Sequence, residues 1–322
     1  MYDIIIIGAG PAGLSAAIYG IRAGKSVLVL EGKTYGGQIV NTPEVENYPG
    51  IKKMSGFEFA TELYQQAKDL GAQIKMEKVL TVEKADGRSE YDLQAAEIEE
   101  QENSHIIVTT SKGIYEAGAV IFATGAKNRL LGLPREKEMT GAGISYCATC
   151  DGMFYRNKSV AVNGGGSTAL EDALFLSNYC KEVYLIHRRD TFRGEQKLVE
   201  ALKKRENVKF ILNSVITGLI GEETLTGVQI KEKNGEEKVL MIDGLFIAIG
   251  QEPETALAKE LVAVDGKGYI QAGEDCKTTT QGIFVAGDCR TKAIRQLTTA
   301  ASDGAVAALM AVEYLDQKEA KQ

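Results

Sequence analysis

Two glycine-rich turns constrain the fold of this chain most. Residues 4–7 are four isoleucines that lead into residues 8–13 (GAGPAG) and a helical stretch over residues 14–23. Residues 160–163 (VAVN) lead in the same way into residues 164–169 (GGGSTA). A glycine motif between a strand and a helix is typical of dinucleotide binding, because backbone N–H groups and the helix dipole then face the pyrophosphate. The sequence predicts two such units, with a glycine turn that only packs helix on strand as the alternative.

The residue that ends the next strand differs between the two motifs. Glu31 follows Gly8 at the same spacing as His187 follows Gly164. A carboxylate there accepts a hydrogen bond from a ribose hydroxyl, whereas Arg188 and Arg189 would pair with a 2′-phosphate. The second site is therefore predicted to prefer NADP over NAD, with Arg193 as a further contact, unless the arginines only form a solvated surface.

Ahead of the second glycine motif lies Cys147-Ala148-Thr149-Cys150, followed by Asp151. Two thiols at this spacing interconvert between a disulfide and a dithiol and so carry two electrons. Asp151 is a candidate for the accompanying proton transfer. A structural zinc site needs two more ligands. The remaining cysteines and the histidines stand singly: Cys180, Cys276, Cys289, His105 and His187. The sequence favours a redox pair and predicts no metal.

Composition sets further limits. A length of 322 residues suits two domains, and a net charge of −7 argues against nucleic acid or an anionic membrane as partner. Apolar runs stay well short of the roughly 20 residues that span a bilayer. The apolar start lacks the basic lead of a secretory signal, and an odd number of cysteines suits a reducing compartment, so we expect a cytoplasmic protein. The mostly acidic residues 86–104 are expected to be a solvated excursion of unassigned role.

Six segments resemble the low-molecular-weight bacterial thioredoxin reductases over nearly the whole chain. In order they are GAGPAG, GGQI with VENYPG, SYCATCDGMFYR, GGGSTALEDA, HRRDTFR and AGDCRTKAIRQLTTAASDGA. The resemblance implies an α/β fold with two Rossmann-like domains, the NADPH domain (residues 122–247) being inserted into a discontinuous FAD domain (residues 1–121 and 248–322). It also implies a homodimer.

The resemblance further implies site residues. The FAD contacts would be Gly8, Gly10, Gly13, Glu31, Gly37, Gln38, Asn47, Gly287, Asp288, Arg295 and Gln296. The NADPH contacts would be Gly164, Gly166, Ser167, Thr168, His187, Arg188, Arg189 and Arg193. Electrons would pass from NADPH through FAD to the Cys147–Cys150 pair and on to thioredoxin or a similar redoxin, while the inserted domain rotates between half-reactions.

Individual roles around the redox pair follow from the same resemblance. Cys150 is expected beside the flavin, Cys147 is expected to attack the partner, and Asp151 is expected to donate the proton. Met153 and Phe154 are expected either to seat the partner or to pack internally. The chain departs from the family pattern at Arg135, where a small residue often follows a proline, and we expect only a loop difference there. A dithiol oxidase and a non-enzymatic redox sensor are the alternative functions.

Overall fold

The computed structural model describes residues 1–85 and 105–320, so the acidic stretch 86–104 lies outside the described residues. The chain forms two compact units, one from Met1–Lys127 with Glu252–Gln322 and the other from Asn128–Gln251. The chain leaves the first unit along β7 (Ala126–Asn128) and returns along β16 (Gln251–Pro253), which pair with each other. These positions lie a few residues beyond the boundaries that the resemblance implies, at residues 121/122 and 247/248.

A seven-stranded sheet forms the centre of the first unit. Its parallel part has the order β3-β2-β1-β6, with β17 also on β6. The strands are β1 (Tyr2–Ile7), β2 (Val27–Glu31), β3 (Gln73–Met76), β6 (Ile114–Phe122) and β17 (Ile283–Val285), with antiparallel β4 (Val79–Ala85) and β5 (His105–Thr110). Ile6 pairs with Val29 on one side and Ile121 on the other. The isoleucines of β1 are buried, as expected for a parallel strand covered on both faces.

Among the described residues, this unit has the α-helices α1 (Pro11–Arg22), α2 (Gly56–Asp69) and α6 (Leu297–Glu319). Helix α2 starts with a capping box between Ser55 and Glu58. Helix α6 packs directly on α1, because Gly304 has no side chain and a Cβ there would lie 2.1 Å from the backbone oxygen of Ala12. Thus the two ends of the chain share one core.

The second unit has a five-stranded parallel sheet of order β11-β10-β9-β15-β8. Its strands are β8 (Ile144–Ser145), β9 (Ser159–Asn163), β10 (Glu182–Ile186), β11 (Val208–Ile211) and β15 (Gly244–Ile247), and its helices are α3 (Ala148–Asp151), α4 (Ser167–Leu176) and α5 (Gln196–Lys203). An antiparallel sheet of β12 (Ser214–Ile220), β13 (Gly227–Glu232) and β14 (Glu237–Met241) completes the unit.

The predicted α/β fold with two Rossmann-like units is confirmed. Both glycine motifs connect a parallel strand to a helix, as β1 to α1 and as β9 to α4. Across residues 1–85 and 105–320, no helix has the length and apolar character needed to cross a membrane.

Candidate active site

The first glycine turn ends at Gly10, the N-cap of α1, where no side chain caps the helix. Gly8 has a φ of 110°, and a Cβ there would lie 2.4 Å from the Ala123 backbone oxygen. A Cβ at Gly13 would lie 1.9 Å from the Gly8 oxygen, so both positions require glycine. At Gly10 the nearest atom to such a Cβ is 3.9 Å away, in Gly37, so the N-terminus of α1 is not crowded at this position. This geometry fits a bound pyrophosphate.

Glu31 is held at the edge of this turn. Its Oε2 accepts a hydrogen bond from the Ala9 N–H at 2.9 Å, and its Oε1 accepts one from the Lys33 N–H at 2.8 Å. Gly37 has a φ of 63° and lies against Gly10, while the Gln38 side chain donates a hydrogen bond to the Ala126 backbone oxygen. The structure therefore gathers these predicted FAD contacts around one turn.

The C-terminal segment brings further predicted residues to the same unit. Asp288 follows β17, and its Oδ1 is buried and has no hydrogen-bond partner among the described residues. Burial raises the pKa of Asp288. Arg295 lies over the Tyr269 ring at 4.1 Å, and Gln296 accepts a hydrogen bond from the Asn47 amide at 3.4 Å. A buried acceptor without a protein partner fits a ligand hydroxyl, so the residues present fit FAD.

Sequence reasoning missed Asp303, a buried residue of α6. Its carboxylate accepts hydrogen bonds from Arg290 at 2.9 Å to each oxygen, from the Lys292 ammonium at 2.8 Å and from the Gly287 N–H at 3.0 Å. Although burial acts in the opposite direction, these bonds hold the pKa of Asp303 below its usual value. In the sequence, the one feature that could have indicated the role of Asp303 is the presence of a carboxylate within the stretch of small residues in α6.

The second glycine turn has the same construction. Gly166 is the N-cap of α4, again without a side-chain cap, and a Cβ there would have no atom within 4 Å. A Cβ at Gly164 would lie 2.4 Å from the Ala248 backbone oxygen. Ser167 and Thr168 are the first two residues of the helix. The open N-terminus of α4 thus fits a second dinucleotide.

The arginine-bearing loop is fastened to this turn by its backbone. The Arg193 N–H donates to the Gly165 oxygen at 2.8 Å, and a Cβ at Gly194 would lie 2.8 Å from the Ser167 nitrogen. Gly194 is a further glycine requirement that sequence reasoning did not identify. Side chains of Arg188, Arg189 and Arg193 are exposed. Their proposed pairing with a 2′-phosphate stays a prediction.

His187 lies beneath the turn. It is 5% exposed, and its ring stacks on Phe192 with centroids 5.3 Å apart. Its Nε2 lies 3.2 Å from the Thr191 oxygen, and burial lowers its pKa. A Cβ at Gly165 would lie 2.1 Å from the His187 ring. His187 therefore supports the turn from below, and its proposed contact with NADPH stays a prediction.

Cys147 and Cys150 form a disulfide with their Cα atoms 5.3 Å apart. Cys147 is the N-cap of α3, and its backbone oxygen accepts hydrogen bonds from the Cys150 and Asp151 N–H groups.

Cys180, Cys276 and Cys289 are buried free thiols, and burial raises the pKa of Cys180 to about 11 and that of Cys276 to about 12. Within the described ranges no cluster of three or more His, Cys, Asp or Glu residues suits a metal ion.

Asp151 follows Cys150 directly in the chain and is the last residue of α3. Its Oδ2 accepts a hydrogen bond from the Ser145 hydroxyl at 2.6 Å, while its Oδ1 is buried without a partner in the described part of the chain. Burial raises the pKa of Asp151, and the Ser145 bond opposes that shift. A carboxyl that keeps its proton closer to neutral pH is suited to act as an acid.

The loop before the redox pair is organised by Glu136, which is 2% exposed. Its carboxylate accepts the N–H groups of Leu131, Gly132 and Leu133 and the hydroxyl of Tyr146 at 2.9 Å. Tyr146 directly precedes Cys147, and burial raises its pKa. One carboxylate therefore connects this loop to the redox motif.

Arg135, the departure noted above, has a φ of 65°. The left-handed conformation favours glycine, so an arginine here carries backbone strain. The Arg135 guanidinium donates to the Gly221 oxygen at 2.7 Å and to the Glu222 oxygen. These bonds offset part of the backbone strain.

On the other side of the motif, Met153 and Phe154 are 50% and 37% exposed. They lie on the 3-10 helix Gly152–Tyr155. Neither belongs to the buried core of the second unit.

Two open dinucleotide-type turns and a reactive disulfide in one chain define a two-electron oxidoreductase. The model of the family described as pyridine nucleotide-disulphide oxidoreductase matches residues 2–304. The chain belongs to this family.

Named relatives agree with the family match. The chain is 43% identical to the thioredoxin reductase of Treponema pallidum over 98% of this chain and 97% of that protein. It is 39% identical to the thioredoxin reductase of Listeria monocytogenes over 98% of this chain and 95% of that protein. The solved thioredoxin reductase of Streptococcus pyogenes superposes with a TM-score of 0.89 at 37% identity, covering 98% of this chain and 99% of that one.

Proposed function

We propose that this chain is an NADPH-dependent thioredoxin-disulfide reductase. The observation that carries the proposal is the Cys147–Cys150 disulfide with the half-buried Asp151 next to Cys150 in the chain. The relatives from Treponema pallidum and Listeria monocytogenes are named thioredoxin reductase, and this chain aligns with them over nearly their whole length.

The first unit would hold FAD between its glycine turn, Glu31 and the C-terminal segment with Asp288, Arg295 and Gln296. The second unit would hold NADPH at the N-terminus of α4, with Arg188, Arg189 and Arg193 on the 2′-phosphate. When bound, NADPH supplies a hydride and FAD passes its two electrons to the disulfide. The protein residues orient both cofactors. The cysteine pair takes up two electrons in each catalytic cycle.

The cysteines and Asp151 perform the exchange with the partner. The Cys147 thiolate attacks a sulfur of the partner disulfide, which forms a mixed disulfide and releases one partner thiolate. That thiolate takes a proton from Asp151. The Cys150 thiolate then attacks the Cys147 sulfur, re-forms the intramolecular disulfide and releases the second partner thiolate. The partner gains two electrons, and the cysteine pair loses two.

The partner is a thioredoxin or a similar redoxin. Met153 and Phe154 support this proposal, because exposed apolar side chains beside a reactive motif offer a contact surface to a protein. We include a homodimer and a cytoplasmic location in the proposal, and gel filtration with light scattering tests the dimer.

A rotation of the second unit about β7 and β16 is also part of the proposal. The redox pair and the second glycine turn belong to the same unit, whereas the first glycine turn belongs to the other. Both the nicotinamide and Cys150 must reach one flavin, so a rigid-body rotation would serve them in turn. A crystal form in which nicotinamide and Cys150 contact the same flavin together would contradict the rotation.

The experiment is an NADPH-oxidation assay of the FAD-loaded protein against a panel of oxidised redoxins under anaerobic conditions. Redoxin-dependent turnover supports the proposal. Turnover that appears only when the assay is repeated in air would identify a dithiol oxidase, and reduction of the disulfide without turnover would identify a redox sensor. Cys150→Ser is the matched control, because it should oxidise no more than stoichiometric NADPH.

A further inference from the structure

Ser145 is hydrogen-bonded both to the backbone of Cys147 and to the side chain of Asp151. It ends β8 and is 3% exposed. Its Oγ accepts the Cys147 N–H at 3.1 Å, and its hydroxyl donates to Asp151 Oδ2 at 2.6 Å. The Cys147 carbonyl is the more distant acceptor, at 3.3 Å, and already receives two backbone N–H groups. The single hydroxyl proton is therefore committed to Asp151.

We propose that Ser145 is a positioning residue that fixes which oxygen of Asp151 carries the proton and the pH at which it leaves. This inference rests on the proposed function, in which Asp151 acts as the acid. Because Ser145 donates to Oδ2, the proton of the neutral acid resides on Oδ1, the oxygen without a partner among residues 1–85 and 105–320. The same hydroxyl oxygen holds the backbone of Cys147, so the acid and the attacking cysteine share one anchor.

Other titratable groups around Asp151 offer it no hydrogen bond in the described structure. Tyr155 follows on the next turn, and burial together with Asp151 and Asp243 raises its pKa to about 12. From the turn after α4, the Tyr179 hydroxyl lies over Gly152, where a Cβ would be 2.1 Å from it. Asp172 and Arg156 act on Tyr179, and burial raises the pKa of Asp172 to about 7. Ser145 is thus the group that opposes the effect of burial on Asp151.

Removal of the hydroxyl should therefore raise the pKa of Asp151 further. Ser145→Ala should move the Asp151 titration upward by about one pH unit, since a hydrogen bond to the charged form is lost. The alkaline limb of the redoxin-reduction profile should move upward with it, because Asp151 stays protonated to higher pH. Ser145→Thr keeps the hydroxyl and should restore the wild-type titration.

Infrared difference spectroscopy of the protonated carboxyl band measures the titration without requiring turnover. The band assigned to Asp151 is the one that disappears in Asp151→Asn. Ser177→Ala is a matched control, because Ser177 is also buried but donates to the Leu174 oxygen. It should leave the titration unchanged. If Ser145→Ala does not fold, Ser145→Gly removes the hydroxyl in its place.

A double-mutant comparison separates the proposal from a purely structural role. In the Asp151→Asn background, Ser145→Ala should change the rate of redoxin reduction less than twofold. An equal loss in both backgrounds, or an unchanged Asp151 titration in Ser145→Ala, would overturn the proposal. If the protein reduces no redoxin at all, the proposed function fails while the infrared titration still decides the role of Ser145.

Discussion

The carboxylate of Asp303 and the guanidinium of Arg290 form two parallel hydrogen bonds of 2.9 Å each, with both side chains 9% exposed. Asp303 also holds the Gly287 N–H, in the turn that presents Asp288. This buried pair therefore helps to fix the shape of the proposed FAD-binding turn.

Asp303→Asn should destabilise the protein by about 3–5 kcal/mol, because it leaves Arg290 and Lys292 buried with reduced charge compensation. Thermal and denaturant unfolding measure this effect, and bound flavin should be released at lower denaturant concentration. Asp316→Asn is the control, since Asp316 pairs with Lys25 on the surface and its loss should cost no more than about 1 kcal/mol. Equal losses for the two variants would contradict the assigned role.

The same carboxylate gives a pH prediction. The folded-state pKa of Asp303 lies below its unfolded value, so its contribution to stability is present above the unfolded pKa and disappears as the pH falls through the folded pKa. Wild type should lose stability between about pH 4 and lower values more steeply than Asp303→Asn, which lacks this titration. Urea unfolding at several pH values measures the two slopes.

Replacing Arg188 and Arg189 together by Ala should raise KM for NADPH tenfold or more, at roughly 1.5–3 kcal/mol for each lost phosphate contact. KM for NADH should stay nearly unchanged, because NADH lacks the 2′-phosphate. Steady-state kinetics with both nucleotides provide the test. Arg205→Ala removes an exposed arginine elsewhere on this unit and should affect neither value. Equal losses for NADPH and NADH would contradict the assignment.

The two redox cysteines should give different spectra. Cys147→Ser with bound FAD should show an absorption band at wavelengths longer than the ordinary flavin spectrum near neutral pH, because the Cys150 thiolate is expected beside the flavin. Cys150→Ser should lack that band. Both variants should accept hydride from NADPH and reduce no redoxin. The opposite spectral pattern would exchange the roles of the two cysteines.

Substitutions of Arg135 can separate the effect of backbone strain on stability from the effect of its side-chain hydrogen bonds. Arg135→Ala keeps the left-handed φ but loses the bonds to Gly221 and Glu222, and should cost about 1–2 kcal/mol. Arg135→Gly loses the same bonds but relieves the strain, and should lie within about 1 kcal/mol of wild type. Denaturant unfolding of the three proteins gives the comparison. A glycine variant less stable than the alanine variant would contradict the strain argument.

Local patterns were sufficient to predict the fold and much of the candidate site. A β-branched strand followed by a glycine motif indicates a tight turn from local sequence alone, and at Gly13 the glycine requirement comes from the oxygen of Gly8, five residues earlier. Glu31 was predictable for the same reason, since its register follows from the strand it ends.

Residues whose partners come from distant segments were not predictable. The register predicted the position of His187 but not its burial under Gly165, which depends on the return of the loop with Phe192. Asp303 and Ser145 form hydrogen bonds that exist only after helices and strands pack, and the quoted segments that contain them do not indicate these bonds. Glu136 likewise collects donors from a loop with no periodic pattern.

Glu136 makes the loop between β7 and the redox cysteines a stiff link. Four donors converge on one buried carboxylate, and leaving any of them unsatisfied costs about 1–3 kcal/mol. In the proposed rotation, the segment from residue 131 to Tyr146 would therefore move as one piece, and Cys147 would follow the movement of β7.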